Sequence, residues 1–179
     1  MEFNQSHTFA NLMSAFAGEA QARNKYTYYA EQAKTDGYIH IKEIFEETAK
    51  NELAHAKVWY NLINNGGSTT EDNLKDAAGG EHFEWSEMYA DYAKIAKEEG
   101  YDKIAFLFQG VANIEKEHEE RYRKYITQMA DDKVFKRDDE ISWKCDNCGY
   151  EHSGTSAPEV CPICGYKKEY FADEKDAIA

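Results

Sequence analysis

Along the first 130 positions, apolar residues recur at the spacing of one helix face. Ile41, Ile44, Phe45, Thr48, Leu53, Ala56 and Tyr60 form one such stripe, and Ile104, Leu107, Phe108, Val111 and Ile114 form another. A period of three to four residues marks amphipathic helices, so these stripes are expected core faces. Punctuation residues divide the pattern into four helices. Ser6 or Thr8 caps the first, which runs to about Thr35, and Asp36-Gly37 turns the chain into a second that ends near Asn64. Ser68 to Glu71 fits a capping box for a third helix that stops at Gly100, and a fourth runs to about Ala130. Both prolines, Pro158 and Pro162, lie beyond this region, which is therefore free of the strongest helix breaker. The expectation is an all-α four-helix bundle over 1–133, made of hairpins 6–64 and 68–130. Residues 134–140, within the charged run DDKVFKRDDE, read as a linker to a small unit at 141–179.

The two hairpins repeat one another. Ser6, Asn11, Leu12, Gly18 and Glu19 return 62 residues later as Ser68, Asn73, Leu74, Gly80 and Glu81. From Tyr26 onward the offset is 63: Tyr26, Tyr29, Gly37, Tyr38, Glu52 and His55 match Tyr89, Tyr92, Gly100, Tyr101, Glu115 and His118. The third helix therefore carries one residue more than the first, between Glu81 and Tyr89. Helices commonly absorb such a residue as a π-bulge, frequently at functional sites, which places the expected bulge near 82–88.

The repeat singles out a chemical constellation. Glu52-Leu-Ala-His55 and Glu115-Lys-Glu-His118 are both ExxH, which sets a carboxylate and an imidazole on one helix face. Glu19 and Glu81 occupy matched places on the preceding helices. One Glu from each of two helices and ExxH from each of the other two is the ligand pattern of di-metal carboxylate bundles. Carboxylate oxygens can bridge two cations while each imidazole fixes one. Salt bridging at the surface is the competing explanation and requires these glutamates to face water. Against it, Glu19 sits among Phe16, Ala17, Ala20 and Ala22, as on a buried stripe. Tyr26 and Tyr89 lie about two turns from Glu19 and Glu81, within reach of an outer hydrogen bond or simply in aromatic core. His7, His40, His82 and His152 have no matched partner and read as structural or solvated.

Four cysteines, Cys145, Cys148, Cys161 and Cys164, form two CxxC knuckles separated by 12 residues. Each second cysteine is followed by glycine, so the chain can turn sharply and aim backbone N–H groups at the sulfurs. Such a cluster describes a local tetrathiolate site rather than a disulfide framework. A zinc ribbon uses the same geometry, so the spacing leaves zinc and iron open.

The motifs GEAQARNKY at 18–26, ETAKNELAHAK at 47–57 and GEHFEWSEMY at 80–89 resemble those of rubrerythrins, and Trp143, CGY and CPxCG resemble rubredoxin. The resemblance covers nearly the whole chain. It implies a ferritin-like di-iron bundle followed by a rubredoxin-like, β-rich iron-binding domain. It implies di-iron ligands Glu19, Glu52, His55, Glu81, Glu84, Glu115 and His118, with Glu52 and Glu115 bridging. Glu84 has Gln21 as its match and so is the asymmetric ligand, exchanging with His55 as the redox state changes; Glu87, three residues on, stays open as a competitor. The implied cofactors are two iron ions in that site and one iron on the four cysteines, where zinc could substitute.

The implied activity is a peroxidase that reduces hydrogen peroxide to water in oxidative-stress defence. Its electrons would come from rubredoxin or an NAD(P)H-dependent reductase and pass through the four-cysteine iron to the di-iron site. A ferritin-like ferroxidase, or a structural bundle carrying a zinc-ribbon interaction module, are the alternatives. The net charge of -13, from 34 acidic and 21 basic residues, argues against nucleic-acid or anionic-membrane partners. The start MEFNQSHTFANLM resembles no secretory signal, and no apolar run is long enough for a membrane span, so a cytoplasmic protein is expected. Assembly follows from connection length. In a ferritin-like bundle the second and third helices run parallel and need a link of roughly 35–40 Å, whereas Asn64 to Gly67 spans at most about 15 Å. A homodimer or larger assembly with exchanged hairpins is therefore expected.

Overall fold

The computed structural model describes residues 2–176, and the chain divides into two compact units, one through Ser68 and one from Thr69 onward. The first unit is a helical hairpin of α1 (His7–Thr35) and α2 (Ile39–Ile63). The Ser6 hydroxyl accepts the Phe9 N–H and opens α1, as its sequence predicts. At the far end Gly37 takes φ +83°, and the Tyr38 N–H returns to the Ala33 carbonyl at 2.8 Å. That closure needs a left-handed residue, the conformation glycine adopts without strain.

The second unit begins with α3 (Thr70–Phe83), which passes through a π-helical turn at Glu84–Met88 into α4 (Tyr89–Glu98). The extra residue inferred from the repeat is thus taken up inside the 82–88 window. The capping box that starts α3 uses Thr69 and Asp72 rather than Ser68 and Glu71, one residue later than expected: the Thr69 Oγ1 accepts the Asp72 N–H, and Asp72 accepts the Thr69 N–H. Gly100 at φ +84° and the Tyr101 N–H to Ala96 carbonyl bond reproduce the first hairpin's turn and lead into α5 (Asp102–Ala130).

Small residues line the seams where helices meet. Ala30, Ala33, Ala49 and Ala56 are buried in the first hairpin, and Ala78, Ala96, Ala105 and Ala112 in the second. The larger apolar residues behave differently. Ile41, Ile44, Leu53 and Tyr60 of α2, and Ile104, Leu107 and Ile114 of α5, were expected core but stay exposed in their own units. A pair of helices buries one seam only, and an apolar stripe wider than that seam needs further helices to cover it.

Residues 134–140 do not form a bare linker. From Lys136 they belong to β1 (Lys136–Cys145), which pairs antiparallel with β2 (Glu151–Ser156) and β3 (Phe171–Asp173) in the order β2-β1-β3. Arg137 is recruited to this sheet, its guanidinium 5.2 Å from the Trp143 ring centroid, which explains why a charged stretch is ordered. Trp143 is completely buried with Cys145, Ala157, Cys161 and Phe171, and its indole N–H donates to the Gly154 carbonyl at 2.9 Å. Among the described residues no helix is long and apolar enough to cross a membrane.

Candidate metal centres

Each hairpin gathers one three-residue cluster. In the first, α1 supplies Glu19 and α2 supplies Glu52 and His55. His55 Nδ1 lies 3.0 Å from Glu52 Oε2 and 3.8 Å from Glu19 Oε1. In the second, α3 supplies Glu81 and α5 supplies Glu115 and His118. His118 Nδ1 lies 2.7 Å from Glu115 Oε2 and 3.6 Å from Glu81 Oε1. Within each cluster one ligand atom per residue falls within 4.8 Å of the others. The ExxH spacing is what allows this, because residues three apart stack on adjacent turns of one face.

Exposure separates these glutamates from ordinary surface ones. The side chains of Glu52 and Glu115 are 16% exposed, against 63% for Glu43 on the same helix as Glu52. A salt-bridged surface role predicted the opposite. Crowding also perturbs them. A hydrogen bond shared with Glu19, reinforced by His55, lowers the Glu52 pKa, while burial and then the Glu115 charge raise that of Glu81. Two carboxylates this close repel unless a proton or a cation lies between them. Oxygen and imidazole donors suit divalent iron, manganese or zinc, so the donor chemistry fits a metal on each hairpin.

Glu84 opens the π-helical turn, half-buried but outside the three-residue cluster, while Glu87 on the same turn is exposed. The charge of Glu84 reaches Glu81 and Tyr89. Tyr89 is half-buried against Phe108, and its phenol pKa is raised by burial and then by Glu84 and Glu115. Its match Tyr26 is half-buried and stacks on Phe45 at 6.3 Å. His40 is fully solvated, as expected.

His82 is not solvated in the same sense, and it belongs to a network that the repeat does not predict. Glu119 of α5 faces His82 Nδ1 at 3.0 Å and accepts the Trp85 indole N–H and the Arg123 Nε–H, each at 2.5 Å. Burial pushes the Glu119 carboxyl up, yet the bonds from Trp85, Arg123 and His82 outweigh it and bring its pKa down to about 2. The only sequence signal was negative: Glu119 stands where the first hairpin has Ala56.

In the cysteine domain, all four sulfurs meet within 4.8 Å of one another, with Cys145 to Cys164 at 3.8 Å and Cys148 to Cys161 at 3.6 Å. Tetrahedral metal–sulfur bonds of about 2.3 Å put sulfurs about 3.8 Å apart, so the cage matches one thiophilic ion. Two equivalent turns build it. Gly149 and Gly165 take φ +76° and +75°, and each donates its N–H to the carbonyl of the first cysteine of its knuckle. The glycine freedom expected from the CxxCG motif is used here. Backbone N–H groups then reach the sulfurs. That of Tyr166 leads the causes that lower the Cys164 pKa to about 6. That of Tyr150 also lowers Cys148, but burial and the neighbouring thiols drive it up to about 12. Cys148 and Cys164 thus ionise unequally, and a cation is what would let the whole cage be thiolate.

Residues 10–126 match the family model for rubrerythrin, and residues 143–172 match that for the rubredoxin-like domain of rubrerythrin. The chain is 43% identical over 178 residues to a rubrerythrin of Nitratidesulfovibrio vulgaris, covering 93% of each. It is 43% identical over 180 residues to rubrerythrin-1 of Clostridium acetobutylicum, covering 92% of each. Against the nigerythrin of Nitratidesulfovibrio vulgaris the identity is 34%, over 92% of this chain and 85% of that one. With paired Glu/Glu/His clusters of di-iron type on its hairpins, a tetrathiolate cage later in the sequence and relatives matched over more than nine-tenths of its length, the chain belongs to the rubrerythrin family of oxidoreductases.

Proposed function

We propose that this rubrerythrin is a non-haem peroxidase that reduces hydrogen peroxide to water. One peroxide, two electrons and two protons give two waters. The observation that carries the reading is the coexistence, in one chain, of matched Glu/Glu/His clusters and a four-sulfur cage. The first suits a two-electron site and the second a one-electron site. Glu19, Glu52 and His55 would hold one iron, and Glu81, Glu115 and His118 the other, with Glu52 and Glu115 bridging. Glu84 would exchange with His55 at one iron as the redox state changes. When bound, the iron pair supplies the two electrons that cleave the peroxide O–O bond. The carboxylates would carry the compensating negative charge, and the Tyr89 phenol, whose pKa the charges of Glu84, Glu115 and Glu81 help to raise, would donate a hydrogen bond into the site. Cys145, Cys148, Cys161 and Cys164 would hold the iron that relays single electrons from an external rubredoxin or an NAD(P)H-dependent reductase. A cytoplasmic setting accords with four free cysteines gathered at one site.

We also propose that each four-helix bundle combines hairpins from two chains. The 25 residues of α2 extend about 37 Å, and the six residues between α2 and α3 reach at most about 25 Å. The exposed stripes on α2 and α5 supply the apolar faces that such an exchange would bury.

The test of the peroxidase reading is stopped-flow addition of peroxide to the iron-loaded, chemically reduced protein, beside Cys161→Ser. Wild type should consume one peroxide per two electrons, faster than it reacts with oxygen. Cys161→Ser should lose donor-driven turnover but still be reoxidised by peroxide once reduced. Faster oxidation by oxygen with ferric iron accumulating would instead favour ferroxidase chemistry.

A further inference from the structure

The first hairpin offers no counterpart to Glu119 or its partners: Ala20, Ala22, Ala56 and Tyr60 stand at the positions matched to His82, Trp85, Glu119 and Arg123. The network is therefore an addition to the second hairpin, and it coincides with two other features confined to that hairpin, the π-helical turn and Glu84. Glu119 is the buried charged side chain among the described residues, 6% exposed. Its three donors come from two directions. His82 lies on the last turn of α3 and Trp85 within the π-helical turn, so both flank Glu84, while Arg123 lies one turn beyond Glu119 on α5.

Other contacts hold Trp85 in one place. Its ring packs edge-on against His82 with centroids 5.3 Å apart, and Lys116 Nζ lies 5.6 Å from its centroid. The Ser86 hydroxyl donates to the His82 carbonyl at 2.6 Å, bridging the junction between α3 and the turn. A π-helical turn is wider than the α-helix around it and has to be held by its surroundings to stay at one register. Shifting the bulge by a single residue would rotate Glu84 by about 100° around the helix axis.

We propose that Glu119 is a positioning residue for Glu84: by tying His82 and Trp85 to α5, it fixes the register of the π-helical turn and so the direction of the Glu84 carboxylate. The proposal rests on the reading of Glu84 as a metal ligand. Through Glu119, the one ligand carboxylate of that reading without a match in the first hairpin is mechanically linked to α5, the helix that carries Glu115 and His118.

The full-length protein tests this, with zinc placed first in the four-cysteine site, where it is spectroscopically silent. Cobalt(II) is then titrated into the carboxylate sites of wild type, Glu84→Gln, Glu119→Ala and the double variant. Glu119→Ala should weaken cobalt binding about 10- to 100-fold and shift the d–d spectrum in the direction that Glu84→Gln does. The double variant should bind no worse than Glu84→Gln alone, because both changes remove one interaction. A Glu119→Ala protein with wild-type spectrum and affinity, or losses that multiply in the double variant, would overturn the positioning role while leaving Glu84 a ligand. A silent Glu84→Gln variant would overturn the ligand reading, and the positioning role with it. Should Glu119→Ala fail to fold by circular dichroism, Trp85→Phe takes its place, since it removes the indole donor but keeps an aromatic ring. It should show the same spectral shift, smaller in size, and an unshifted spectrum would overturn the proposal.

Discussion

Hairpin exchange can be tested by complementation. One chain carries Glu52→Ala and His55→Ala, and a second carries Glu115→Ala and His118→Ala. Each alone should fold, because the substitutions relieve crowding among carboxylates rather than remove packing. In an exchanged homodimer of either variant, every bundle joins a damaged hairpin to an intact one, and no complete site forms. In a mixed dimer the two damaged hairpins meet in one bundle and the two intact hairpins in the other. Random pairing of equal amounts makes half the dimers mixed, with one good bundle in two, so about a quarter of the wild-type sites should return. The chains are denatured separately, refolded together and loaded with iron. Intact sites are then counted from di-iron absorption and peroxide consumption, with mass fixed by light scattering. Bundles closed within single chains would give no recovery at all, and a co-refolded mixture no better than its separate components refutes the exchange.

Three further outcomes are expected. Inserting about six Gly/Ser residues after Asn65 adds about 20 Å of reach, more than the shortfall of about 12 Å, and should move the light-scattering mass toward an unexchanged form without loss of iron. Thr69→Ala should cost about 1 kcal/mol in urea denaturation through loss of the α3 cap. The Thr69 hydroxyl also holds the Asp72 carboxyl below its ordinary value. The stabilisation from that bond is therefore complete above the unfolded pKa and is lost as pH falls through the lower folded value, so the gap between wild type and Thr69→Ala should shrink on acidification. Trp143→Ala should cost the cysteine domain about 3–5 kcal/mol, seen as faster metal loss to a chelator while the helical circular dichroism signal is unchanged.

Much of the site was legible because duplication made two weak ExxH signals into one strong one. The change of offset between Glu81 and Tyr89 even located the π-helical turn, since an added residue in a helix has few places to go. Chain features without a repeat partner were harder to read. Glu119 has no match across the repeat and belongs to no motif, and only its contacts with Trp85, His82 and Arg123 make it a buried anion. Charge likewise disguised Lys136–Glu140 as linker, although Arg137 could reach over Trp143. Periodicity marked the stripes on α2 and α5 as core faces, yet most of their large residues are exposed in their own units, because a repeat of apolar positions reports that a face is apolar and is silent about what covers it.

The four sulfurs of the cage are not equivalent in their access to solvent: Cys145 and Cys161 are sealed in, Cys164 is half covered and Cys148 is exposed. On the electron path proposed above, an outside donor would have its shortest route at the Cys148 edge. Oxidants find the same edge first, so a peroxidase of the proposed kind would present its most exposed cysteine where its electrons enter. Sulfinic acid on Cys148 before any other cysteine would be the chemical signature of that geometry in protein worn out by turnover.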